Sequence, residues 1–137
     1  MLGELIEIPQ LGDERGSLSV VEVGKLVPFE IKRVYYIHGT KFGVERGFHA
    51  HKALQQLAVV VSGACDMVLD DGTHEKTVRL DSPAIGVRIG AGVWRVMKNF
   101  TPDCVLVVFA DAHYDEADYI RDYDDFIEHT KYTHQDC

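Results

Sequence analysis

Short apolar segments separated by turn residues run along most of the chain. Eight such segments, rich in Val, Ile, Leu and Tyr, span residues 17–23, 31–37, 54–61, 65–70, 76–80, 85–89, 93–97 and 104–110. Gly, Asp, Pro and Asn separate them, and Asp70-Asp71-Gly72 has the composition of a hairpin turn. Many short strands at this spacing predict an all-β protein, either a sandwich or a barrel.

The C-terminal region has a different period. Between about residues 115 and 131, Tyr119, Tyr123, Phe126 and Ile127 recur at three- and four-residue intervals with acidic residues between them. This period predicts one short helix whose apolar face packs on the β structure. A chain of 137 residues is close to the common size of one domain, so residues 1–137 are expected to form a single domain.

Charge and cysteine content exclude several classes of protein. With 22 acidic and 14 basic residues the formal charge is −8, which argues against a nucleic-acid partner. Cys65 and Cys104 lie in apolar segments and Cys137 ends the chain without CxxC spacing, which indicates reduced thiols. Glu4 and Glu7 interrupt the apolar block that a signal peptide needs, and no apolar run has membrane-spanning length. A cytoplasmic protein without a membrane partner is therefore expected.

His49 and His51, in the stretch GFHAHK, are the first candidate functional residues. Side chains alternate along a strand, so both imidazoles point to one face. With Gly43 and Gly63 they fit the spacing of the first motif of the cupins, G(X)5HXH(X)3–4E(X)6G. The sequence thus resembles the cupin superfamily, which implies a double-stranded β-helix, or jelly-roll barrel. The competing interpretation is that the two histidines are chance polar residues at a strand edge.

The departures from the cupin motifs bear on metal binding. Gln55 and Gln56 stand where the first motif has its carboxylate. In the second motif, G(X)5PXG(X)2H(X)3N, Gly92 and Asn99 match, but Arg95 replaces the third histidine. An amide is a poorer ligand than a carboxylate, and a guanidinium repels a divalent cation. We therefore expect no metal and no other cofactor, and a cavity suited to an anion.

A narrower resemblance covers about residues 5–126. The stretches 31–37, 46–52, 68–72, 81–86 and 114–126, together with Trp94, are similar to the TDP-4-keto-6-deoxyglucose 3,4-ketoisomerases. This resemblance implies an enzyme that moves the keto group of a TDP-linked hexose from C4 to C3 in deoxysugar biosynthesis for surface polysaccharides, glycoproteins or antibiotics. It also implies a homodimer whose N-terminal strands are exchanged between subunits.

Such an isomerisation needs a group that is both base and acid near neutral pH, and imidazole fulfils this need. We predict His51 as the base and His49 as its partner, although the sequence does not separate these roles. Tyr35 and Tyr36 lie on opposite strand faces, and Tyr36 is predicted as the hydroxyl donor.

Five further residues are candidates for substrate binding. Arg46 and Arg33 are predicted to meet the diphosphate, and Arg15 and Arg95 to meet the diphosphate or the reacting oxygens. Trp94 is a candidate for stacking on sugar or thymine, with packing as the equally frequent alternative. Arg95 is similar to the branch of the family that gives an equatorial C4 hydroxyl and Arg15 to the axial branch, so the configuration at C4 stays open.

Two other functions fit the same residues. A nucleotide-sugar 3,5-epimerase also removes a proton beside a ketone, and a non-catalytic cupin would bind a sugar nucleotide without turnover. A redox-active metal cupin is the third alternative.

Overall fold

A computed structural model describes residues 2–135, with side chains described through residue 132. The strands are β1 (Glu4–Glu7), β2 (Gln10–Asp13), β3 (Gly16–Ser19), β4 (Arg33–Ile37), β5 (Arg46–His51), β6 (Gln56–Ser62), β7 (Cys65–Asp70), β8 (Glu75–Leu80), β9 (Ile85–Ile89), β10 (Trp94–Lys98), β11 (Val105–Ala110) and β12 (Tyr119–Ile120). A 3-10 turn spans Glu116–Asp118 and helix α1 spans Tyr123–Gln135.

Two five-stranded antiparallel sheets enclose the core. One sheet has the order β1-β9-β6-β11-β4 and the other β12-β5-β10-β7-β8, while β2 and β3 form a separate hairpin. The strands alternate between the two sheets along much of the chain, as in a jelly roll. The predicted all-β barrel with a C-terminal helix is confirmed.

The core lies between the two sheets. Strand β7 shows the expected alternation, with Cys65, Met67 and Leu69 buried and the residues between them half-buried. Strand β6 is buried over its first five residues, Gln56 to Val60, because it runs through the centre of its sheet. Side chains of both sheets thus form one buried apolar cluster, with members from β6, β9 and β11 of the first sheet and from β7, β8 and β10 of the second.

The N-terminal region differs from the prediction. The predicted strand 17–23 is reduced to Gly16–Ser19, which pairs with the unpredicted strand Gln10–Asp13. Leu11 and Leu18 face each other across this hairpin and are both exposed, so the hairpin buries no apolar face of its own. Its short, mixed sequence lacks the two-residue alternation that reveals a half-buried strand.

The predicted helix from residue 115 was wrong in its first part. Asp115 caps the 3-10 turn, and Tyr119 and Ile120 then pair with His51 and Ala50 at the edge of the second sheet. Sheet pairing therefore overrides the helical period until α1 begins at Tyr123. Within α1, Phe126 is fully buried against Trp94, Ala50 and Ile120, as the amphipathic pattern predicted.

Cys65 and Cys104 are free and buried, which confirms them as core thiols, and burial raises the pKa of Cys65 to about 12. Cys137 lies outside the described residues. The turn at Asp70–Gly72 is confirmed, since the left-handed Gly72 donates its N–H to Asp70 between β7 and β8. Over residues 2–135 we find no helix with the length and apolar character of a membrane span.

Candidate active site

Two adjacent imidazoles occupy the inner face of β5. His49 and His51 lie edge to face, with ring centroids 5.0 Å apart, and His51 is only 1% exposed. The strand ends at His51, so Ala53 and Gln55 do not continue this row of side chains. The common face of the two histidines, expected from their spacing, is observed.

Asp118 fixes the orientation of His51. Its Oδ2 lies 3.0 Å from Nδ1 of His51, while its Oδ1 accepts a hydrogen bond from the N–H of Ala53 at 2.8 Å. A neutral His51 with its proton on Nδ1 donates to this carboxylate. Its Nε2 is then left with a lone pair that can accept a proton.

Tyr119 packs against both imidazoles. Its ring centroid lies 4.3 Å from that of His51 and 5.0 Å from that of His49, and the Arg121 guanidinium stacks 4.2 Å from the Tyr119 centroid. Glu116 accepts hydrogen bonds of 2.6 and 2.8 Å from Arg121. Arg121 thereby lowers the pKa of Glu116 to about 2.

A buried polar network lies behind the histidines. Arg95, opposite His49 on β10, donates through Nη1 to Oε1 of Gln56 and through Nη2 to the Val93 carbonyl at 3.1 Å. Gln56 in turn donates from Nε2 to the hydroxyl of Tyr35 at 2.9 Å. Within the described chain, Nε of Arg95 is buried and has no hydrogen-bond partner. The network therefore holds a cation without a carboxylate bonded to it.

Burial and this cation control the charge of the imidazoles. Burial, the positive charge of Arg95 and neighbouring His49 lower the pKa of His51 to about 3, against the opposing effect of Asp118. Burial and Arg95 lower the pKa of His49 to about 4. Burial also lowers the pKa of Arg95, to about 10, so that it remains protonated at neutral pH. Both imidazoles are consequently neutral at pH 7 and able to accept a proton.

Gln56 and Arg95 stand where a metal-binding cupin carries its carboxylate and its third histidine. Their side chains are hydrogen-bonded to each other. Gln56 is the glutamine that faces the site, whereas the Gln55 side chain accepts a hydrogen bond from Arg88. Over residues 2–135 no group of three or more His, Cys, Asp or Glu side chains is arranged to hold a metal ion. The amide and guanidinium thus fit an anionic ligand better than a divalent cation.

Two clefts open beside the histidines. The larger, of about 580 Å³, is lined by His49, Tyr35, Tyr119 and the arginines Arg33, Arg46 and Arg121, among others. The smaller, of about 250 Å³, is lined by His51, Asp118, Tyr119 and Arg33, among others. Because Arg121 is already paired with Glu116, Arg33 and Arg46 are the arginines of this cleft that suit an anion, in a chain with net charge −8.

Some of the residues predicted from the sequence line the clefts and others lie elsewhere. Arg46 and Arg33 line the larger cleft, and Arg33 lines both. Tyr36 also lines the larger cleft but is 63% exposed, whereas the inner face of β4 carries Tyr35, whose hydroxyl joins the buried network. The geometry therefore favours Tyr35 over the predicted Tyr36 as the hydroxyl donor.

Three substrate-binding predictions do not fit the geometry within one chain. Trp94 points away from the histidines and packs under α1, with its ring 5.7 Å from Phe126. Arg95 is buried behind the imidazoles and, among the described residues, is not one that lines either cleft. Arg15 is exposed on the β2–β3 hairpin, where it forms a salt bridge of 2.6 Å with Asp13.

Asp118, Tyr119 and Arg121 were not predicted as site residues. They lie in the stretch YDEADYIRDYDDF, which carried the family resemblance, but the apolar period there predicted a helix that packs on the β structure and not a segment that reaches the site. The antiparallel pairing of Tyr119 with His51 at the sheet edge brings this segment to the site.

Comparison with known proteins identifies the family of the chain. The protein family described as "FdtA: WxcM-like, C-terminal" matches residues 1–131. The TDP-4-oxo-6-deoxy-alpha-D-glucose-3,4-oxoisomerase of Aneurinibacillus thermoaerophilus is 49% identical over 126 residues, which cover 92% of this chain and 91% of that protein. The chain belongs to the sugar 3,4-ketoisomerase family.

Solved structures of 3,4-ketoisomerases have the same fold. A mutant of QdtA from Thermoanaerobacterium thermosaccharolyticum, in complex with TDP-4-keto-6-deoxyglucose, is 40% identical with a TM-score of 0.92 and 94% coverage of both chains. The TDP-quinovose 3,4-ketoisomerase WlaRB from Campylobacter jejuni is 46% identical with a TM-score of 0.88, covering 91% of this chain and 96% of that one. This 3,4-ketoisomerase therefore shares the cupin-type barrel of its relatives.

Proposed function

We propose that the chain converts TDP-4-keto-6-deoxyglucose into its 3-keto isomer, as a step of deoxysugar biosynthesis. The observation that carries this proposal is the pair of neutral imidazoles, one held by a carboxylate 3.0 Å away, beside a buried guanidinium. The family membership and the presence of Arg33 and Arg46 on the larger cleft support a nucleotide-linked substrate.

The reaction moves one proton from C3 to C4 and one from the C3 hydroxyl to the C4 oxygen. One imidazole removes the proton from C3 of the 4-keto sugar, and electrons shift onto the C4 oxygen to give an enediolate. A proton is then delivered to C4, while the C4 oxygen gains a proton to become a hydroxyl and the C3 hydroxyl loses its proton to become the ketone. Because both histidines are neutral at pH 7, either is in the protonation state that the first step needs.

Arg95 and Tyr35 would stabilise the enediolate in different ways. Arg95 is buried without a carboxylate hydrogen-bond partner, so its positive charge favours negative charge developing on the nearby sugar oxygens. The Tyr35 oxygen accepts a hydrogen bond from Gln56, which leaves its own proton free for a ligand in the larger cleft. Arg33 and Arg46 would bind the diphosphate through charge-assisted hydrogen bonds.

The roles of the two histidines can be separated by isotope exchange. His51 has the carboxylate partner and His49 lines the larger cleft, so the prediction of His51 as the base is open to a direct test. In deuterated water, the variant that lacks the base should lose exchange at C3. The variant that lacks only its partner should keep C3 exchange and lose formation of the 3-keto product. Exposed His74 supplies the control, His74→Asn.

Turnover by the wild-type protein tests the function itself. Incubation with TDP-4-keto-6-deoxyglucose in deuterated water, followed by NMR, should give the 3-keto isomer and the configuration at C4. Binding without any change of the sugar would favour a non-catalytic cupin and contradict the proposal. Metal analysis of the active protein by mass spectrometry should find less than one ion per chain, and a stoichiometric transition metal would favour a redox cupin.

A 3,5-epimerase is the second candidate, because the site holds the features expected of one. His51 has a supporting aspartate at 3.0 Å and a tyrosine ring, Tyr119, at 4.3 Å. The adjacent His49 and the family membership favour the isomerase. Deuterium at C5 without a 3-keto product would support the epimerase.

We further propose a homodimer with exchanged N-terminal strands. The exposed hairpin β2–β3 supports this arrangement, since Leu11 and Leu18 need a partner surface to become buried. Arg15 would then reach the cleft of the second copy. Light scattering tests the dimer, and co-expression of Arg15→Ala with His51→Asn chains tests the exchange. Mixed dimers should regain activity that both parent variants lack. If activity does not recover, Arg15 acts in its own subunit and the exchange is contradicted.

The 3,4-ketoisomerase is proposed to act in the cytoplasm, in a pathway for surface polysaccharides or related deoxysugar products. The buried free thiols of Cys65 and Cys104 are consistent with a reducing compartment. Fractionation of the producing cell tests the location.

A further inference from the structure

Phe48 adopts a backbone conformation that its side chain disfavours. Its φ is 57°, in the left-handed region where glycine is at ease and a bulky residue is an outlier. Asn99 is the other non-glycine residue with positive φ in residues 2–135, and Asn tolerates this region well. A phenylalanine at such a position costs on the order of 1–3 kcal/mol, which indicates that its ring has a use.

The strained residue is the extra one in a β-bulge. Arg95 pairs with His49 and Val96 with Gly47, so Phe48 between them has no partner on β10. Gly47 permits the bulge, because a Cβ there would lie 2.8 Å from the Arg95 carbonyl oxygen. Strand register is therefore kept by the residues on either side of Phe48. A glycine at position 48 would adopt the same positive φ with less strain.

The Phe48 ring does not help to form the core. It is 47% exposed and belongs to none of the buried apolar clusters. Instead it lines the 580 Å³ cleft, together with the histidine His49 and the arginines Arg46, Arg33 and Arg121. The neighbouring Arg46 is exposed like Phe48, whereas His49 is half-buried, so the ring lies on the solvent side of the histidine. The bulge thus presents an exposed aromatic face beside the cationic part of the cleft.

We propose that Phe48 is the stacking platform for the planar base of the nucleotide. This inference rests on the proposed function, since it assigns a place to the part of the substrate that neither the histidines nor the arginines recognise. A nucleotide-linked sugar carries its diphosphate between sugar and base, and the cleft offers imidazole, guanidinium groups and an aromatic ring for these parts. Stacking recognises a π-face of any base, and its loss typically weakens binding about tenfold.

Inhibition by two compounds distinguishes recognition of the nucleotide base from recognition of the diphosphate. The variants are Phe48→Gly, which removes the ring and suits the left-handed backbone, Phe48→Tyr, which keeps a ring, and Phe42→Ala. Phe42 is fully exposed and is not one of the described residues lining the larger cleft, so Phe42→Ala is the matched control. Inhibition constants are measured for TDP and for inorganic diphosphate. The melting temperature of each variant and the molar mass of its assembly in solution are measured as well.

We expect Phe48→Gly to bind TDP about tenfold more weakly, with unchanged affinity for inorganic diphosphate and a melting temperature no lower than that of the wild type. Phe48→Tyr and Phe42→Ala should retain wild-type affinity for both inhibitors. Unchanged TDP affinity in Phe48→Gly would overturn the inference, as would a parallel loss of both inhibitors or a change in molar mass. If the wild type itself binds TDP but does not isomerise the keto sugar, the proposed function fails while the stacking inference is still tested by TDP binding.

Discussion

Nδ1 of His51 lies 3.0 Å from Oδ2 of Asp118, although 67 positions separate the two residues in the chain. The carboxylate arrives on the 3-10 turn that precedes β12, and β12 then pairs with the strand that carries His51. The orientation of the imidazole is thus set by the pairing of a two-residue strand at the sheet edge.

Asp118→Asn should reduce turnover more than substrate binding. The asparagine oxygen can keep the hydrogen bond from Ala53, which turns its NH2 group towards Nδ1 of His51. That amide would favour the tautomer with the proton on Nε2, leaving no lone pair at the cleft. We expect kcat to fall by about 10²–10⁴-fold with KM changed much less, measured by steady-state kinetics.

Asp71→Asn is the matched control for this variant. Asp71 lies 3.8 Å from the exposed His74, so the same type of pair is altered outside the site. The role of Asp118 would be contradicted by equal loss in both variants, or by full activity of Asp118→Asn.

The lowered pKa values of the histidines predict unusual tolerance of mild acid by the activity. His49 and His51 become protonated only near pH 4 and pH 3, respectively, rather than near the ordinary 6.5. In the free enzyme kcat/KM should therefore show no decline centred at pH 6.5, and the loss should occur as pH falls towards 4. A pH profile between 4.5 and 8, in buffers of constant ionic strength, checks this.

The same shifts predict a loss of stability in acid. Both histidines have a lower pKa in the folded state than in the unfolded state, so below pH 6.5 the unfolded chain binds more protons. Their contribution to the free energy of unfolding is present above pH 6.5 and is lost as pH falls through the folded pKa values. Urea unfolding at pH 7.5 and 5.5 should show a larger drop for the wild type than for His49→Asn. Equal drops would contradict the assignment.

Arg95→Met should impair catalysis without removing a cleft contact. The variant deletes a buried positive charge that lowers both histidine pKa values and favours the enediolate. We expect kcat to fall about 100-fold and the acid limb of the pH profile to move to higher pH. Arg88→Met is the control, since Arg88 bonds Gln55 as Arg95 bonds Gln56 but lines a different cavity. A large rise in KM with unchanged kcat would instead indicate direct substrate contact by Arg95.

Trp94→Phe should affect stability and leave substrate affinity unchanged. Trp94 packs between β10 and α1 against Phe126, so a smaller ring leaves unfilled space there. We expect a loss of about 1–2 kcal/mol in the free energy of unfolding, measured with urea, and the wild-type KM. An increase of KM with unchanged stability would instead indicate that Trp94 contacts the substrate.

The sequence predicted what depends on local alternation. Strands β4 and β6 to β11 follow the apolar pattern, and the spacing of His49 and His51, with one residue between them, was enough to put both on one face. The choice between Tyr35 and Tyr36 was different, because strand parity gives opposite faces without saying which face is inward. The same limit applies to Trp94 and Arg95, which are neighbours on β10 and therefore lie on opposite faces. Trp94 packs outwards under α1, and Arg95 faces inwards to Gln56.

The segment around Asp118 shows why the rest of the site was missed. Its helical period continues into the true helix, so nothing local marks where α1 begins at Tyr123. What separates Tyr119 from α1 is a pairing with His51, far away in sequence, and single-sequence periodicity contains no such information. The roles of Asp118, Tyr119 and Arg121 follow from that one long-range contact.

The late position of Asp118 gives the chain an order of maturation. A nascent chain that has emerged only as far as β11 already contains both imidazoles and most of the barrel, yet it lacks the carboxylate that orients His51. Full activity on the sugar therefore requires the segment that follows β11, with Asp118 and β12, to have docked.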